Sequence, residues 1–391
     1  MWVHGVHRCG KLWSRNAALN KGARRFFGHF VDRSTSLSLV QLRTDLVGRS
    51  ASFGEPVLVD RLARRVRYLR VSLTDRCSMR CTYCMPSEGI EHVPRSEILS
   101  LEEVVRVVES FAAWGVERVR LTGGEPTLRR GLVWLVEQLS QRRSASGRPL
   151  EVVMTTNGEL LERFAAPLAA AGLSALTVSL DSLDPARFAS ITRRDRLAQV
   201  LAGIEAARAA ALPLKLNTVA VRGFNDDELG ALCRFAWAHG ATPRFIELMP
   251  MAGGRLFVPG ELMPAAAIRA RVGAELGAKI ELGAQPDGPY GPAQYFVVRG
   301  GAHDGRRFGT IAAMTENFCA SCNRLRVSAT GQLHACLARD DAGDLRRAMR
   351  SGEPGRLEQV VRSALGDKRD THGFERDGSG GPTKAMISIG G

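Results

Sequence analysis

Residues 77–84 read CSMRCTYC and place the thiols of Cys77, Cys81 and Cys84 directly after an apolar, strand-like run, 68–73. Thiolates are soft ligands that suit zinc and iron–sulfur clusters, and this spacing lets one short loop wrap a compact inorganic centre. A structural zinc site normally closes with four ligands, whereas three thiolates on a four-iron cluster leave one iron open to a ligand that is not protein. The stretch therefore predicts a metal loop, and a zinc site with a distant fourth ligand is the alternative.

The spacing C-x3-C-x2-C, with Tyr83 before the last cysteine, resembles that of the radical S-adenosylmethionine (SAM) enzymes. The resemblance implies that Cys77, Cys81 and Cys84 hold a [4Fe-4S] cluster whose open iron binds SAM. It also implies that an electron from the cluster cleaves SAM to methionine and a 5′-deoxyadenosyl radical. In such reactions the cofactor supplies the chemistry, and the protein orients it and excludes competing reactions.

The composition is that of an ordinary globular protein, and a chain of 391 residues is long enough to bury a sizeable core. Residues 1–49 hold nine Lys and Arg against two Asp, which is half of the formal net charge of +14. The rest of the chain is mildly basic, which suits an anionic small molecule better than a long nucleic acid. The longest uncharged run, 164–180, is interrupted by Pro167 and Gly172, so no membrane span is predicted.

Six of the eight cysteines fall in two metal-like groups, and no secretory signal precedes them, which favours a reducing compartment. Cys233 lies in an apolar helical pattern and is expected in the core, whereas Cys9 belongs to the N-terminal region. Residues 1–56 are predicted to form a basic, disordered extension. We expect a cytoplasmic location, with a mitochondrial one as the alternative if residues 1–50 are a transit peptide rather than a basic arm or an upstream start.

Residues 57–250 alternate between strand-like and helical segments, which predicts parallel βαβ units. About six repeats predict an α/β fold with a partial (β/α)6 TIM-like barrel and its chemistry at the C-terminal strand ends. Radical SAM enzymes share this barrel. The predicted strands are 68–73, 116–121, 152–156, 175–180, 214–221 and 244–249, and the predicted helices are 101–114, 131–140, 160–171, 197–211 and 226–239.

Residues 251–391 are predicted to form a C-terminal extension that carries a second metal group, Cys319, Cys322 and Cys336. A C-x2-C pair alone would leave zinc and redox chemistry equally open. Here it is followed by NRLR at 323–326, and the chain ends in two glycines.

Together these motifs resemble the GTP 3′,8-cyclases of molybdenum cofactor biosynthesis over about residues 57–391. The matching segments are TGGEP at 122–126, TTNG at 155–158, SLDSLD at 179–184, RFIELM at 244–249 and CNRLR at 322–326. The resemblance implies a lyase that converts GTP to (8S)-3′,8-cyclo-7,8-dihydroguanosine 5′-triphosphate while SAM becomes 5′-deoxyadenosine and methionine. Cyclic pyranopterin monophosphate synthase would then take the product.

The resemblance also implies a second [4Fe-4S] cluster on Cys319, Cys322 and Cys336 that binds the guanine. Arginine side chains suit the triphosphate, because the planar guanidinium is permanently charged. By resemblance, the GTP contacts are Arg70, Arg120, Thr155, Lys215, Arg324, Leu325 and Arg326. Arg244 is a further candidate.

On the SAM side, the resemblance implies contacts from Tyr83, Gly124, Ser179 and Met249. Glycine has no Cβ, so Gly124 is expected to let the backbone approach the ligand. Gly390 and Gly391 are expected to enter the active site for the same reason, and with Arg70 they are the predicted catalytic residues.

The expected partners are an electron donor such as flavodoxin or ferredoxin and a second copy of the chain in a homodimer, with no membrane and no nucleic acid. Two other interpretations are a radical SAM peptide maturase and a zinc-stabilised nucleic-acid-binding protein. The CNRLR segment and the terminal glycines argue against the maturase. The barrel pattern and the three-plus-three cysteine count argue against the zinc protein.

Overall fold

The computed structural model describes residues 58–287 and 291–390. The predicted extension at residues 1–56, Cys9 and Gly391 therefore lie outside the described residues.

Six parallel strands follow one another both along the chain and across the sheet. All six were predicted, and each predicted end lies within two residues of the observed one. They are β1 (Tyr68–Ser72), β2 (Arg118–Thr122), β3 (Glu151–Thr156), β4 (Ala175–Ser179), β5 (Leu214–Ala220) and β6 (Thr242–Glu247).

A helical segment joins each of these strands to the next. Because such crossovers are right-handed, a consecutive strand order places every helix on one face, and the sheet curves with the helices outside. This confirms the predicted partial barrel. The helices are α1 (Leu101–Ala113), α2 (Leu132–Ser140), α3 (Leu161–Ala170), α4 (Pro185–Thr192), α5 (Leu197–Ala209) and α6 (Leu229–Ala238).

Helix α4 was not predicted, although its start signals are present in the sequence. The Asp184 side chain accepts a hydrogen bond from Arg187 N at 2.8 Å, and Pro185 occupies the first helical position. An acidic cap followed by proline is a typical helix start.

The chain beyond residue 250 extends the same sheet at both edges. β9 pairs in parallel with β6, and β10 pairs in parallel with β1. The division of the chain at residue 250 stays a prediction. The elements of this region are α7 (Ala265–Leu276), β7 (Lys279–Leu282), β8 (Gln294–Arg299), β9 (Arg307–Ile311), β10 (Arg324–Val327), β11 (Gln332–His334), β12 (Gly343–Asp344), α8 (Leu345–Arg350) and α9 (Arg356–Gly366).

Residue alternation along the strands separates an apolar outer layer from a polar inner face. On β1, Leu69 and Val71 are fully buried in the main hydrophobic core, whereas Tyr68 and Arg70 line the inner cavity. Burying one such aliphatic side chain contributes about 1.5–3 kcal/mol. A one-residue slip would place arginines among the helices, so the register is strongly specified.

No helix in residues 58–287 or 291–390 combines the length and the apolar character that crossing a bilayer would require.

Candidate active site

The barrel opens into one cavity that both groups of cysteines line. It encloses about 2060 Å³ of empty space, part of which is open to solvent. Eleven of the residues predicted to contact SAM or GTP also line it, so the structure brings them together while their roles stay predictions. These are Arg70, Tyr83, Arg120, Gly124, Thr155, Ser179, Lys215, Arg244, Met249, Arg324 and Arg326.

The first cysteine loop is anchored by the end of helix α4. Arg80 N donates to Thr192 O and Thr82 N donates to Ile191 O, each at 2.9 Å. The loop is also braced internally, because Arg80 Nη1 donates to Cys77 O at 2.7 Å. The unpredicted helix thus holds the most informative motif of the sequence in place.

Gly124 packs against the backbone of this same loop. Its N–H donates to Thr74 O at 2.7 Å, and an added Cβ would lie 2.2 Å from Arg76 O. The glycine is therefore required by a contact within the protein, rather than only by ligand approach as the sequence led us to expect. Gly124 still lines the cavity, so its contact with SAM remains a prediction.

The three thiols of the first loop lie in a poorly solvated environment. Burial raises the pKa of Cys77 to about 11, that of Cys84 to about 12, and that of Cys81 as well. Binding of iron to such thiols requires proton release. Three thiols facing one cavity are a donor set that fits a cluster with one open iron.

Asp181 is a carboxylate of this region that the sequence analysis did not single out. It accepts from Tyr83 Oη at 2.7 Å and from Val219 N at 2.8 Å, and burial raises its pKa to about 6. Because the Tyr83 hydroxyl donates its proton to Asp181, its ring, its backbone and the acceptor side of the oxygen are left to contact SAM.

The second cysteine group lies in a more positive environment. Lys368 Nζ donates to Cys322 Sγ at 3.5 Å, and Arg324 Nη2 donates to the same sulfur at 3.7 Å. Burial alone would raise the pKa of Cys322, but the charges of Arg324 and Lys368 outweigh it and lower the pKa to about 6. Arg64 Nη1 also fixes the loop by donating to Cys319 O at 2.8 Å.

Arginines form a row across three neighbouring strands of the inner face. Arg326 on β10 lies beside Arg70 on β1, which lies beside Arg120 on β2. The Nε of Arg70 is buried, and among the described residues it has no hydrogen-bond partner. An unmade hydrogen bond of a buried charged group is costly, so this atom is suited to donate to an anionic ligand.

Lys215 extends the positive region across β5. Burial, and then the charges of Arg244, Arg118 and Arg120, lower its pKa to about 7. A cation destabilised in this way gains most from an anion that enters the cavity.

Neutral groups orient the guanidiniums without neutralising them. Arg120 Nη1 donates to Thr155 Oγ1 at 2.8 Å and to Thr177 Oγ1 at 3.1 Å. Arg244 Nη2 donates to the same Thr177 hydroxyl at 3.1 Å, and its Nε donates to Asn217 Oδ1 at 3.0 Å. The charge of both arginines therefore remains available to a ligand.

Tyr68 and Arg118 also line the cavity, and the sequence analysis missed both. Each lies two residues before a predicted contact on its strand, so the period of two placed them on the inner face. Arg118 is paired with Glu151 at 3.2 Å, and Arg120 Nε donates to Tyr68 Oη. Burial would raise the pKa of Tyr68, but the charges of Arg120 and Arg70 lower it to about 8.

Leu325, a predicted GTP contact, does not turn its side chain towards the cavity. The residue is fully buried and belongs to the main hydrophobic core, because alternation on β10 turns it away from the face that carries Arg324 and Arg326. Only its backbone remains a candidate contact.

The described part of the C-terminal tail packs at the cavity. Ile387 and Ile389 are buried, and Gly390 O accepts from Thr122 Oγ1 at 3.1 Å. Gly390 has φ +89°, and an added Cβ would lie 3.2 Å from Val327 O, so both conformation and space favour glycine. The tail thus reaches the inner face near Arg326.

Two family models match the chain, one after the other. Residues 71–236 match the Radical SAM superfamily, and residues 241–374 match Molybdenum Cofactor Synthesis C.

Curated relatives with the name GTP 3′,8-cyclase are similar over most of the chain. One from Rhodopseudomonas palustris (strain TIE-1) is 44% identical over 334 residues, which cover 83% of this chain and 94% of the relative. Another from Rhizobium meliloti (strain 1021) is 43% identical over 321 residues, which cover 81% of this chain and 88% of the relative.

Solved structures show weaker similarity. HydG, a maturase of the [FeFe]-hydrogenase, has a TM-score of 0.43 at 15% identity, over 54% of this chain and 50% of its own. A radical SAM methyltransferase from Sphaerobacter thermophilus has a TM-score of 0.40 at 17% identity, over 54% of this chain and 63% of its own.

Proposed function

Because this chain belongs to the radical SAM GTP 3′,8-cyclase family, we propose that it converts GTP to (8S)-3′,8-cyclo-7,8-dihydroguanosine 5′-triphosphate in the first step of molybdenum cofactor synthesis. It is then an enzyme of the lyase class. The observation that carries the proposal is the single cavity in which two cysteine groups flank the cationic row around Arg70.

The reaction requires two electrons from a low-potential donor such as reduced flavodoxin or ferredoxin. When bound at Cys77, Cys81 and Cys84, the first cluster supplies the electron that breaks the sulfonium–C5′ bond of SAM, which leaves methionine and a 5′-deoxyadenosyl radical. This radical takes a hydrogen atom from the ribose C3′ of GTP and becomes 5′-deoxyadenosine. C3′ then bonds to C8 of guanine, and the second electron and a proton complete the 7,8-dihydro ring.

The chain's own residues bind and orient the two substrates. Their positions in one cavity support SAM contacts from Tyr83, Gly124, Ser179 and Met249. Cys319, Cys322 and Cys336 would hold the second cluster, and its open iron would be available to the guanine. The permanently charged guanidiniums of the inner face then suit the triphosphate. The proposed triphosphate contacts are Arg70, Arg118, Arg120, Thr155, Lys215, Arg244, Arg324 and Arg326.

Burial of these cations has a functional consequence. A positive field that the fold has already assembled binds the triphosphate without rearrangement, so the ribose is held while the radical forms. Gly390 lies next to Arg326, so the tail is placed to support this arginine. The homodimer, the electron donor, the next enzyme and the location remain predictions from the resemblance.

An anaerobic assay tests the proposal. Reconstituted protein is incubated with GTP, SAM and dithionite, and 5′-deoxyadenosine and the cyclised nucleotide are followed by mass spectrometry. We expect both products in equal amounts with GTP and no cyclised nucleotide with ATP. Formation of 5′-deoxyadenosine with no cyclised nucleotide under any condition would refute the proposed reaction.

A further inference from the structure

Lys368 is a buried lysine whose contacts join the parts of the second cysteine group. It follows helix α9 and is only 3% exposed. Its Nζ donates to Arg324 O at 2.8 Å, to Ala335 O at 3.0 Å and to Cys322 Sγ at 3.5 Å. An ammonium group has three donors, so these three acceptors use all of them.

Among the three groups that accept from this ammonium, only one can carry a negative charge. Two of the acceptors are neutral backbone carbonyls, and the third is the Cys322 sulfur. A buried ammonium is costly unless a negative group lies next to it. The Cys322 thiolate meets that requirement when it ligates iron, so the cation and the ligand stabilise each other.

The same contacts fix the geometry of the group. Ala335 directly precedes Cys336, and Arg324 lies two residues after Cys322. One ammonium therefore ties together the segments that carry two of the three cysteines and a proposed GTP contact.

The first cysteine group has no comparable partner in the part of the chain that the structure describes. The contacts to its thiols include a neutral amide, Asn157 Nδ2, which donates to Cys77 Sγ at 3.8 Å, and neutral backbone groups of Met79 and Ile387 at Cys77 and Cys84. Hydrogen bonds and charge at the ligand sulfurs are main determinants of a cluster's reduction potential. The two groups are thus placed in different electrostatic environments.

We propose that Lys368 is a positioning residue that sets the reduction potential of the second cluster through its contact with Cys322. This inference rests on the second cluster of the proposed function. The positive charge stabilises the more negative, reduced state of the cluster, so it raises the potential above that of an otherwise identical site.

The test is an anaerobic redox titration of full-length reconstituted protein, monitored by electron paramagnetic resonance. The signal of the second cluster is identified as the one that Cys322→Ala removes. Lys368→Met, which removes the charge and the donors at similar volume, should shift that midpoint to a more negative potential and leave the first cluster unchanged. Lys368→Arg should restore most of the difference.

Arg369→Met is the matched control, because it removes a charge from the adjacent, exposed residue. An unchanged second midpoint in Lys368→Met, or an equal shift in the control, would overturn the inference. If Lys368→Met does not retain the iron of the second cluster, Lys368→Arg decides. If Lys368→Arg retains the iron and the midpoint potential of the second cluster, the role of the charge is supported. If Lys368→Arg also loses the second cluster, the inference is overturned.

The same titration separates this inference from the proposed function. Wild-type protein that holds the iron of only one cluster would refute the second cluster itself. Two clusters with a potential that is insensitive to residue 368 would refute only the inference about Lys368.

Discussion

The guanidinium of Arg70 links the fold to the chemistry at a single residue. It points into the cavity between Arg326 and Arg120, and its Nε is buried without a partner in the described part of the chain. Burial and the charge of Arg326 lower its pKa well below the ordinary value. A site that holds like charges together in this way favours binding of an anion over the empty state.

We therefore expect Arg70→Met to weaken GTP binding without removing either cluster. Loss of one hydrogen bond to a charged group costs about 1.5–3 kcal/mol, which is roughly a tenfold to hundredfold loss of affinity. Isothermal titration calorimetry with GTP checks this, with iron content as the control for assembly. Arg106→Met, on the exposed side of α1, should bind GTP as the wild type does. Unchanged affinity of the Arg70 variant would place this side chain outside the binding site.

Lys215 gives the binding reaction a pH dependence. Its pKa falls from an ordinary 10.5 to about 7, so between these values the folded, nucleotide-free protein binds fewer protons than the unfolded chain. Stability should accordingly rise with pH across this window and be lost as the pH falls through about 7.

A bound triphosphate favours the charged ammonium, so GTP binding above pH 7 should take up a proton at Lys215. Calorimetry in buffers of different ionisation enthalpy measures this uptake directly. Lys215→Arg, which stays charged at every pH used, should abolish it. Proton uptake that is equal in both proteins would assign the effect to another group.

At the scale of elements, the first cysteine loop depends on the turn after β2 and on helix α4. Gly124 touches the carbonyl of Arg76, and α4 receives the backbone of Arg80 and Thr82. The loop is thus shaped by two elements before any ligand binds.

Gly124→Ala should displace this loop, because the added Cβ would lie 2.2 Å from Arg76 O. The backbone at residue 76 or at residue 124 would have to move to relieve this clash. Overpacking of this kind costs typically about 1–3 kcal/mol. We expect loss of the first cluster's iron and of SAM cleavage, with the second cluster retained. Gly260→Ala, where an added Cβ meets nothing within 4 Å, is the control. Full iron content in the Gly124 variant would show that the loop adapts.

The tail is the second element that completes the site. Removal of Gly390 and Gly391 deletes the Gly390 carbonyl that accepts from Thr122 and the backbone that packs next to Arg326. We expect both clusters to assemble and SAM to be cleaved, while the cyclic product is lost. Liquid chromatography of both products checks this, and cyclisation at the full rate in the truncated protein would mean that the tail has no role in catalysis.

Elements with a clear local pattern were predictable from the sequence, and contacts between distant segments were not. Alternation on β1 predicts that Arg70 and Leu69 face opposite sides, and the same period would have identified Arg118. Lys368 and Cys322 are 46 residues apart in the sequence, so no local pattern predicts their contact. The pairing of β10 with β1 was likewise not predictable, because a four-residue strand has little pattern of its own and its partner lies far away in the sequence.

At the scale of the whole molecule, the C-terminal region extends the barrel sheet at both edges and lines the same cavity. β10 lies beside β1 and continues its cationic face, while the second cysteine group borders the cavity that the first group lines. One cavity thus brings both cysteine groups together with the cationic face, which is the arrangement that the proposed function requires. We predict that the radical formed at the first cysteine group reaches the ribose of a GTP molecule held at the second group.

Turnover of GTP that carries deuterium at C3′ tests this claim most directly. Wild-type protein is incubated anaerobically with the labelled GTP, SAM and dithionite, and the 5′-deoxyadenosine is analysed by mass spectrometry. We predict that it gains one deuterium, whereas GTP labelled at C8 leaves it unlabelled. Unlabelled 5′-deoxyadenosine from the C3′-labelled substrate, formed together with cyclised nucleotide, would contradict the account.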